Sequence, residues 1–136
     1  MDPHIEGRVR NRIARARAKL ATAGRLLESG DLDDAISRAY YGAFHAANAL
    51  LLTVGLTPRS HQATLSLFGL HFVKSGQMDP EHARALRAIK EDRENGDYAE
   101  VVFFGSDEAS SRVDDARRFV EAAVELLERE HALEQL

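Results

Sequence analysis

The chain has 136 residues, of which 44% are hydrophobic and 29% are charged. This length and composition are those of a single globular domain and exclude a disordered or fibrous protein. The net charge is −4, so the chain as a whole does not have the basic character of a general nucleic-acid binder. Cysteine is absent, which excludes disulfides, thiolate metal sites and cysteine nucleophiles and fits the reducing cytoplasm where we expect the protein. The longest apolar stretch, residues 46–56, is far shorter than the roughly 20 residues of a membrane span, so we expect no membrane association.

Charge is distributed unevenly along the chain. Residues 1–28 carry seven basic and three acidic residues, whereas residues 106–136 carry four basic and nine acidic residues. A basic beginning and an acidic end indicate either a segment that binds a partner or two antiparallel helices of opposite charge that lie side by side. The second interpretation is the simpler one.

Apolar residues recur at three- and four-residue spacing through most of the chain, which predicts helices rather than strands. The predicted segments are Arg8–Glu28, Asp33–Val54, Ser60–Lys74, residues 79–96 and Asp107–Glu130. They predict an all-α fold, an antiparallel up-and-down bundle of about five helices that forms one domain over residues 8–131. Residues 1–7, which contain a sequence similar to a protease site of expression vectors, are expected to be a disordered segment or a vector remnant, and residues 132–136 a C-terminal tail.

Capping residues and helix breakers mark the ends of these segments. Ser29-Gly30 and Asn95-Gly96 are predicted to end the first and fourth helices, because glycine accepts the left-handed conformation that follows a helix. Asp31 is predicted to cap the second helix and Asp79-Pro80 to begin the fourth. The apolar run at residues 101–104 is expected to be an ordered connection that lies over the core, because a single strand would have nothing to pair with.

A stripe of polar side chains follows one face of the second predicted helix. Arg38, Tyr41, His45 and Asn48 are spaced by three, four and three residues, so they share that face. Such a set suits a polar cleft that binds a ligand. The alternative is a hydrogen-bonded network inside the bundle or at a dimer contact, because tyrosine and histidine are commonly half-buried structural residues.

A second cluster lies at the end of the fourth predicted helix, at residues 93–98. Arg93 offers a forked donor for a phosphate, and Tyr98 adds a hydroxyl, with Asn95 and Asp97 between them. The alternative is local, since Arg93 could pair with Asp97 or Glu94 and brace the turn, and Tyr98 could anchor the loop that follows. No two of the six histidines are three or four residues apart, so the spacing predicts no metal site, and no motif predicts a cofactor.

Several segments together resemble one family. These are residues 37–47, Ser60-His61, residues 67–73 and residues 93–98, and they resemble the HEPN domain family of prokaryotes over nearly the whole chain. The resemblance implies a helical bundle that forms a homodimer. It also implies a partner, because many such proteins are encoded beside a minimal nucleotidyltransferase and form a toxin–antitoxin pair with it.

The toxic members of the family are metal-independent RNases whose motif is an arginine followed four to six residues later by a histidine. Arg93 matches the arginine. The positions at which the histidine would fall hold Tyr98, Ala99 and Glu100, so the motif here is degenerate. Because tyrosine has a pKa near 10, it is a poor base at neutral pH. His45 or His71, from other helices, are candidates to replace the missing histidine, and Tyr98 falls where the partner of such a pair can modify a tyrosine.

The sequence therefore predicts a HEPN component of a toxin–antitoxin-type pair that binds a nucleotide or RNA through a degenerate motif. Arg93 and Tyr98 are the candidate catalytic residues. The candidate ligand-binding residues are Arg38, Tyr41, His45, Asn48, Asn95 and Asp97. Two alternatives remain at this point: an active metal-independent endoribonuclease that uses a replacement base, and a purely structural dimerisation module.

Overall fold

A computed structural model of the chain describes residues 1–98, 104–131 and 133–136, with Asp97 and Tyr98 described by their backbone alone. Within these residues the fold is entirely helical, which confirms the predicted all-α bundle. The helices are α1 (Pro3–Ser29), α2 (Leu32–Leu52), α3 (His61–Phe68), α4 (Pro80–Tyr98) and α5 (Ser106–His131). A π-helical turn, Gly69–Val73, follows α3, so the predicted third helix changes geometry before Lys74.

Helix α2 lies at the centre of the bundle and contacts each of the other helices. Thirteen of its 21 residues are buried, many of them alanines. At Gly42 a Cβ atom would lie 3.2 Å from the carbonyl oxygen of Ala16 and 3.2 Å from the side chain of Leu20. The small side chains of α2 thus let α1 pack closely against it, and this contact fixes the polar residues of α2 relative to the basic residues of α1.

The ends of the chain are more ordered than the sequence indicated. Helix α1 already begins at Pro3, because the side chain of Asp2 accepts a hydrogen bond from the backbone of His4 (2.6 Å) and proline suits the first helical turn. Residues 3–7, expected to be a disordered segment or a vector remnant, are thus the first residues of α1 in the structure. At the other end, Leu133 is buried against the core, so the predicted tail folds back onto the bundle.

Two of the predicted helix boundaries also differ from the structure. Helix α4 does not end at Asn95-Gly96 but continues to Tyr98. A Cβ on Gly96 would lie 3.3 Å from the ring of Phe104, so this glycine makes room for a side chain rather than ending the helix. Asp31 precedes α2 as predicted, but its side chain accepts from Ser29 and makes no capping bond. Residues 101–103 of the apolar run lie outside the described residues.

Helices α1 and α5 lie side by side and run in opposite directions. Arg17 forms an ion pair with Glu121 at 2.7 Å, and Arg10 donates to the backbone carbonyl of Glu134 at 2.7 Å. The simpler interpretation of the uneven charge, two antiparallel helices of opposite sign, is therefore confirmed.

Candidate phosphate-binding cleft

An open cleft of about 560 Å³ lies between α1 and α2, with α3 at one side. All four residues of the predicted polar stripe line it. The described residues of the cleft wall are Arg12, Lys19, Ser37, Arg38, Tyr41, Phe44, His45, Asn48 and His61. The spacing on α2 thus identified one wall of the cleft, and the packing of α1 and α3 supplies the others.

The cleft is positively charged. Arg12 and Lys19 face it from α1, and Arg38 faces it from α2. Among the described residues no carboxylate lines the cleft, and none lies within ion-pair distance of Lys19 or Arg38. Three cations around one concave surface, without neutralising acids, produce a local positive potential that attracts anions despite the acidic net charge.

His45 is neutral in this setting. Its Nδ1 lies 3.0 Å from Nη1 of Arg12, which can only donate, so Nδ1 accepts the hydrogen bond and Nε2 carries the proton. Burial and, after it, the positive charges of Arg12, Arg15 and Lys19 lower the pKa of His45 to about 4. At neutral pH this residue therefore adds a neutral donor to the cleft, not a fourth positive charge.

Arg93 reaches the same region from α4. Its Nη2 donates to the hydroxyl of Tyr41 at 3.1 Å. The guanidinium carbon lies 4.9 Å from the centre of the Tyr40 ring and 5.6 Å from that of the Tyr41 ring, distances at which a cation is attracted to an aromatic face. Arg93 of the second predicted cluster, about 50 residues away in the sequence, therefore contacts the polar stripe of α2 through Tyr41.

His61 also lies at this site, although its position in the sequence did not predict a site residue. Its Nδ1 forms a hydrogen bond with the hydroxyl of Tyr40, and its ring centre lies 6.2 Å from that of Tyr41. Burial and the positive charges of Arg93 and Lys90 lower the pKa of His61, with Glu94 opposing them. The sequence signal was the Ser60-His61 pair: Ser60 caps α3, accepting from the backbone of Ala63 at 3.0 Å, and so fixes His61 at the first position of the helix.

The remaining predicted residues are not brought together in the same way. Asn95 is exposed and does not line the cleft, and His71, in the π-helical turn, is not among the lining residues either. The side chains of Asp97 and Tyr98, and the whole of Glu100, lie outside the described residues. In the part of the chain that the structure describes, no three histidine or acidic side chains are grouped so as to hold a metal ion.

Asn48, the last residue of the stripe, is engaged in the bundle. Its side-chain oxygen accepts from the hydroxyl of Thr64 at 2.9 Å, and Thr64 is buried. The alternative of a hydrogen-bonded network thus describes Asn48, whereas Arg38 faces the cleft without an acidic partner among the described residues. No described helix has both the length and the apolarity needed to cross a membrane.

Comparison with known proteins agrees with the resemblance to the HEPN domain family that the sequence indicated. A family model described as the HEPN domain matches residues 9–128. A UPF0332 protein of Thermotoga maritima is 35% identical over 114 residues, which are 84% of this chain and 86% of that protein. A Methanocaldococcus jannaschii protein named "Putative toxin MJ0605" is 33% identical over 121 residues, 89% of this chain and 90% of that one. UPF0332 protein PH1297 of Pyrococcus horikoshii is 49% identical over 75 residues, which cover about half (53%) of its length.

Proposed function

The chain belongs to the HEPN domain family, and on this premise we propose that it binds RNA or a nucleotide in the cleft between α1 and α2. The observation that carries the proposal is the absence of acidic groups among the described residues of a cleft that holds Arg12, Lys19 and Arg38. Arginine and lysine are the principal phosphate-binding side chains in nucleic-acid recognition, and phosphate contacts provide most of the affinity. Tyr41 and His61 add aromatic faces on which a base can stack.

The motif residue Arg93 is part of the proposed site through Tyr41. Because the family histidine is replaced in this chain, the proposal is a binding module with a degenerate RNase motif, Arg93 to Tyr98. The toxin name of relatives in Methanocaldococcus jannaschii supports a place in a toxin–antitoxin-type system. We include in the proposal a homodimer and pairing with a minimal nucleotidyltransferase, as the family resemblance implies.

One observation favours a second candidate function, metal-independent cleavage of RNA. His61 replaces His45 and His71 as the candidate base, because it lies in the cleft beside Tyr40, Tyr41 and Arg93. When His61 Nδ1–H donates to the Tyr40 oxygen, Nε2 carries the lone pair and can accept a proton. It would take the proton of a 2′-hydroxyl while that oxygen attacks phosphorus. The 5′-oxygen then leaves and takes a proton from water, giving a 2′,3′-cyclic phosphate and a 5′-hydroxyl end.

The proposal predicts that Arg38→Gln weakens binding of a fluorescent 12-nucleotide single-stranded RNA by about tenfold or more, because one charge-assisted contact is lost. Fluorescence anisotropy measures the affinity. Arg87→Gln, at an exposed position of α4 that does not line the cleft, is the matched control and should bind as the wild type does. Equal affinities of all three proteins would contradict the proposal.

The same RNA separates the two candidates when it is analysed on a denaturing gel. Cleavage by the wild type that is lost in His61→Gln, with binding retained, would establish the RNase. Binding without cleavage would establish the binding module. Co-expression with a nucleotidyltransferase encoded beside the gene tests the pairing, since size-exclusion chromatography distinguishes a monomer, a homodimer and a mixed complex.

A further inference from the structure

Six of the seven arginine and lysine residues of α1 fall into two sets that differ in their partners, and the seventh, Arg25, lies further along the helix. Arg10 and Arg17 face α5 and the C-terminal residues. Arg10 pairs with Glu6, one turn earlier on α1, at 3.3 Å, and Arg17 pairs with Glu121 of α5 at 2.7 Å. Each of them also donates to a backbone carbonyl near the C-terminus. Glu121 of α5 therefore neutralises Arg17, whereas Arg10 is neutralised by Glu6 of α1 itself.

The other set has no such compensation. It consists of Arg8, Arg12, Arg15 and Lys19, which we call the α1 basic stripe. Within the described ranges, none of the four has a carboxylate at ion-pair distance. Arg8 and Arg15 are exposed, while Arg12 and Lys19 are half-buried where they line the cleft.

The spacing of the stripe is regular. Offsets of four, three and four residues place the four side chains on one face of α1, about one helical turn apart. At about 1.5 Å per residue the stripe is roughly 16 Å long. This length exceeds what one phosphate group occupies and covers several successive phosphates of a strand, because a strand in a stacked duplex carries one charge per about 3.4 Å of axis.

The four charges also act on one another. The nearby charges of Arg15 and Arg8, after burial, lower the pKa of Arg12. Such repulsion is a cost to the folded protein that an anion lying along the stripe would relieve. A mononucleotide in the cleft would reach Arg12 and Lys19, but not the whole length from Arg8 to Lys19.

We propose that the α1 basic stripe binds the backbone of a single-stranded polynucleotide, several of whose phosphates lie along α1 while one nucleotide enters the cleft. This inference rests on the proposed function, because it names the ligand of that cleft as a strand rather than a mononucleotide. A single strand is favoured over a duplex because the cleft offers Tyr41 and His61 to an unpaired base. RNA and DNA strands share the backbone chemistry, and the experiment compares them.

The test is the salt dependence of binding of a fluorescent 12-nucleotide strand, measured by anisotropy between 50 and 300 mM NaCl (about the range in which counterion release is resolved). Each phosphate contact contributes about −0.7 to the slope of log K against log salt for single strands. The double variant Arg8→Gln/Arg15→Gln is expected to reduce the magnitude of the slope by about 1.4 and to weaken all sequences alike. Arg8→Lys/Arg15→Lys should keep the wild-type slope, because the charges remain.

The matched control is Arg10→Gln/Arg17→Gln, which removes the same charge from the same helix on the neutralised side. It should leave the slope unchanged. Equal slope changes in the two Gln pairs would overturn the inference, since they would indicate a general field and not contacts along the stripe. An unchanged slope in Arg8→Gln/Arg15→Gln, with circular dichroism showing the wild-type helix content, would also overturn it.

Failure of the inference is distinguishable from failure of the proposed function. If AMP competes as well as the strand does, and Arg38→Gln still weakens binding, the cleft binds a mononucleotide and only the inference fails. If neither RNA, DNA nor AMP binds, the proposed function fails and the inference fails with it. Tighter binding of RNA than of DNA of the same sequence would assign the strand to RNA, and the reverse order would assign it to DNA.

Discussion

At the scale of single residues, the hydrogen-bond donors and the charge of the cleft depend on which nitrogen atoms carry protons. Arg12 is always a donor, so its hydrogen bond to His45 fixes the tautomer in which His45 Nε2–H is the remaining donor. A neutral histidine between cations adds hydrogen-bonding capacity without adding repulsion. The stripe on α2 could be recognised from spacing alone, but the neutrality of His45 could not, because it depends on burial and on charges that belong to α1.

The depressed pKa of His45, about 4, predicts a pH dependence of stability. The folded protein binds this proton less readily than the unfolded chain, whose histidine has a pKa of about 6.5. The contribution of His45 to stability is therefore complete above about pH 6.5 and is lost as the pH falls towards 4. Chemical unfolding at pH 7 and pH 4.5 should show a larger loss in the wild type than in His45→Gln.

The titration itself can be followed by NMR of the histidine ring protons. Arg12→Gln is expected to raise the pKa of His45, because Arg12 is the largest of the charges that lower it. An ordinary midpoint near 6.5 for His45 in the wild type would contradict the described cleft.

At the scale of helices, the first residues of an element decide which side chain reaches the site. Ser60 caps α3 through its hydroxyl, and its carbonyl accepts the Thr64 backbone N–H at 3.0 Å. This start places His61 beside Tyr40, and one turn later Thr64 donates to Asn48 of α2. Because Ser60 fixes where α3 begins, it also fixes which residues of α3 reach the cleft (His61) and the core (Thr64).

Ser60→Ala is expected to lower the free energy of unfolding by about 1 kcal/mol, the usual effect of losing a serine N-cap. Ser66→Ala is a matched control in the same helix, because Ser66 is exposed and lies away from the cap. Urea unfolding monitored by circular dichroism measures both. Equal effects of the two substitutions would show that the cap contributes nothing to stability.

At the scale of the whole molecule, the net charge of −4 is the sum of an acidic region and a basic region that lie on different faces. The acidic α5 neutralises Arg17, and the C-terminal residues accept from Arg10 and Arg17. The opposite face of α1 keeps its positive charges beside the cleft. An acidic protein can therefore present a basic surface at the cleft, where the local potential favours anions.

The ion pair between Arg17 and Glu121 joins residues 104 positions apart, yet it is expected to contribute little to stability. Both side chains are substantially exposed, at 40% and 58%, so water and salt screen the pair. A double-mutant cycle of Arg17→Gln and Glu121→Gln should give a coupling energy below about 1 kcal/mol. The coupling should decrease further at high salt, whereas a value above about 2 kcal/mol would show a stronger role for the pair.

The sequence by itself determined the helical class, the order of the five helices and the face on which Arg38, Tyr41 and His45 lie. Each of these depends on the periodicity of residue types along the chain. This is a local property, because a helix has 3.6 residues per turn whatever it packs against. Local signals were wrong where a neighbour in space decided the outcome, as at Gly96, where the ring of Phe104 explains the glycine better than a helix end does.

Only the tertiary structure decided that Arg93 and His61 meet at Tyr41 and Tyr40, because contacts between helices depend on how their axes pack and not on spacing within one helix. It also decided which basic residues of α1 are neutralised. All of them look alike in the sequence, but α5 covers one side of the helix and leaves the side next to the cleft open. The packing of an acidic helix against one face of a basic one thus leaves the uncompensated positive charges of α1 beside the cleft.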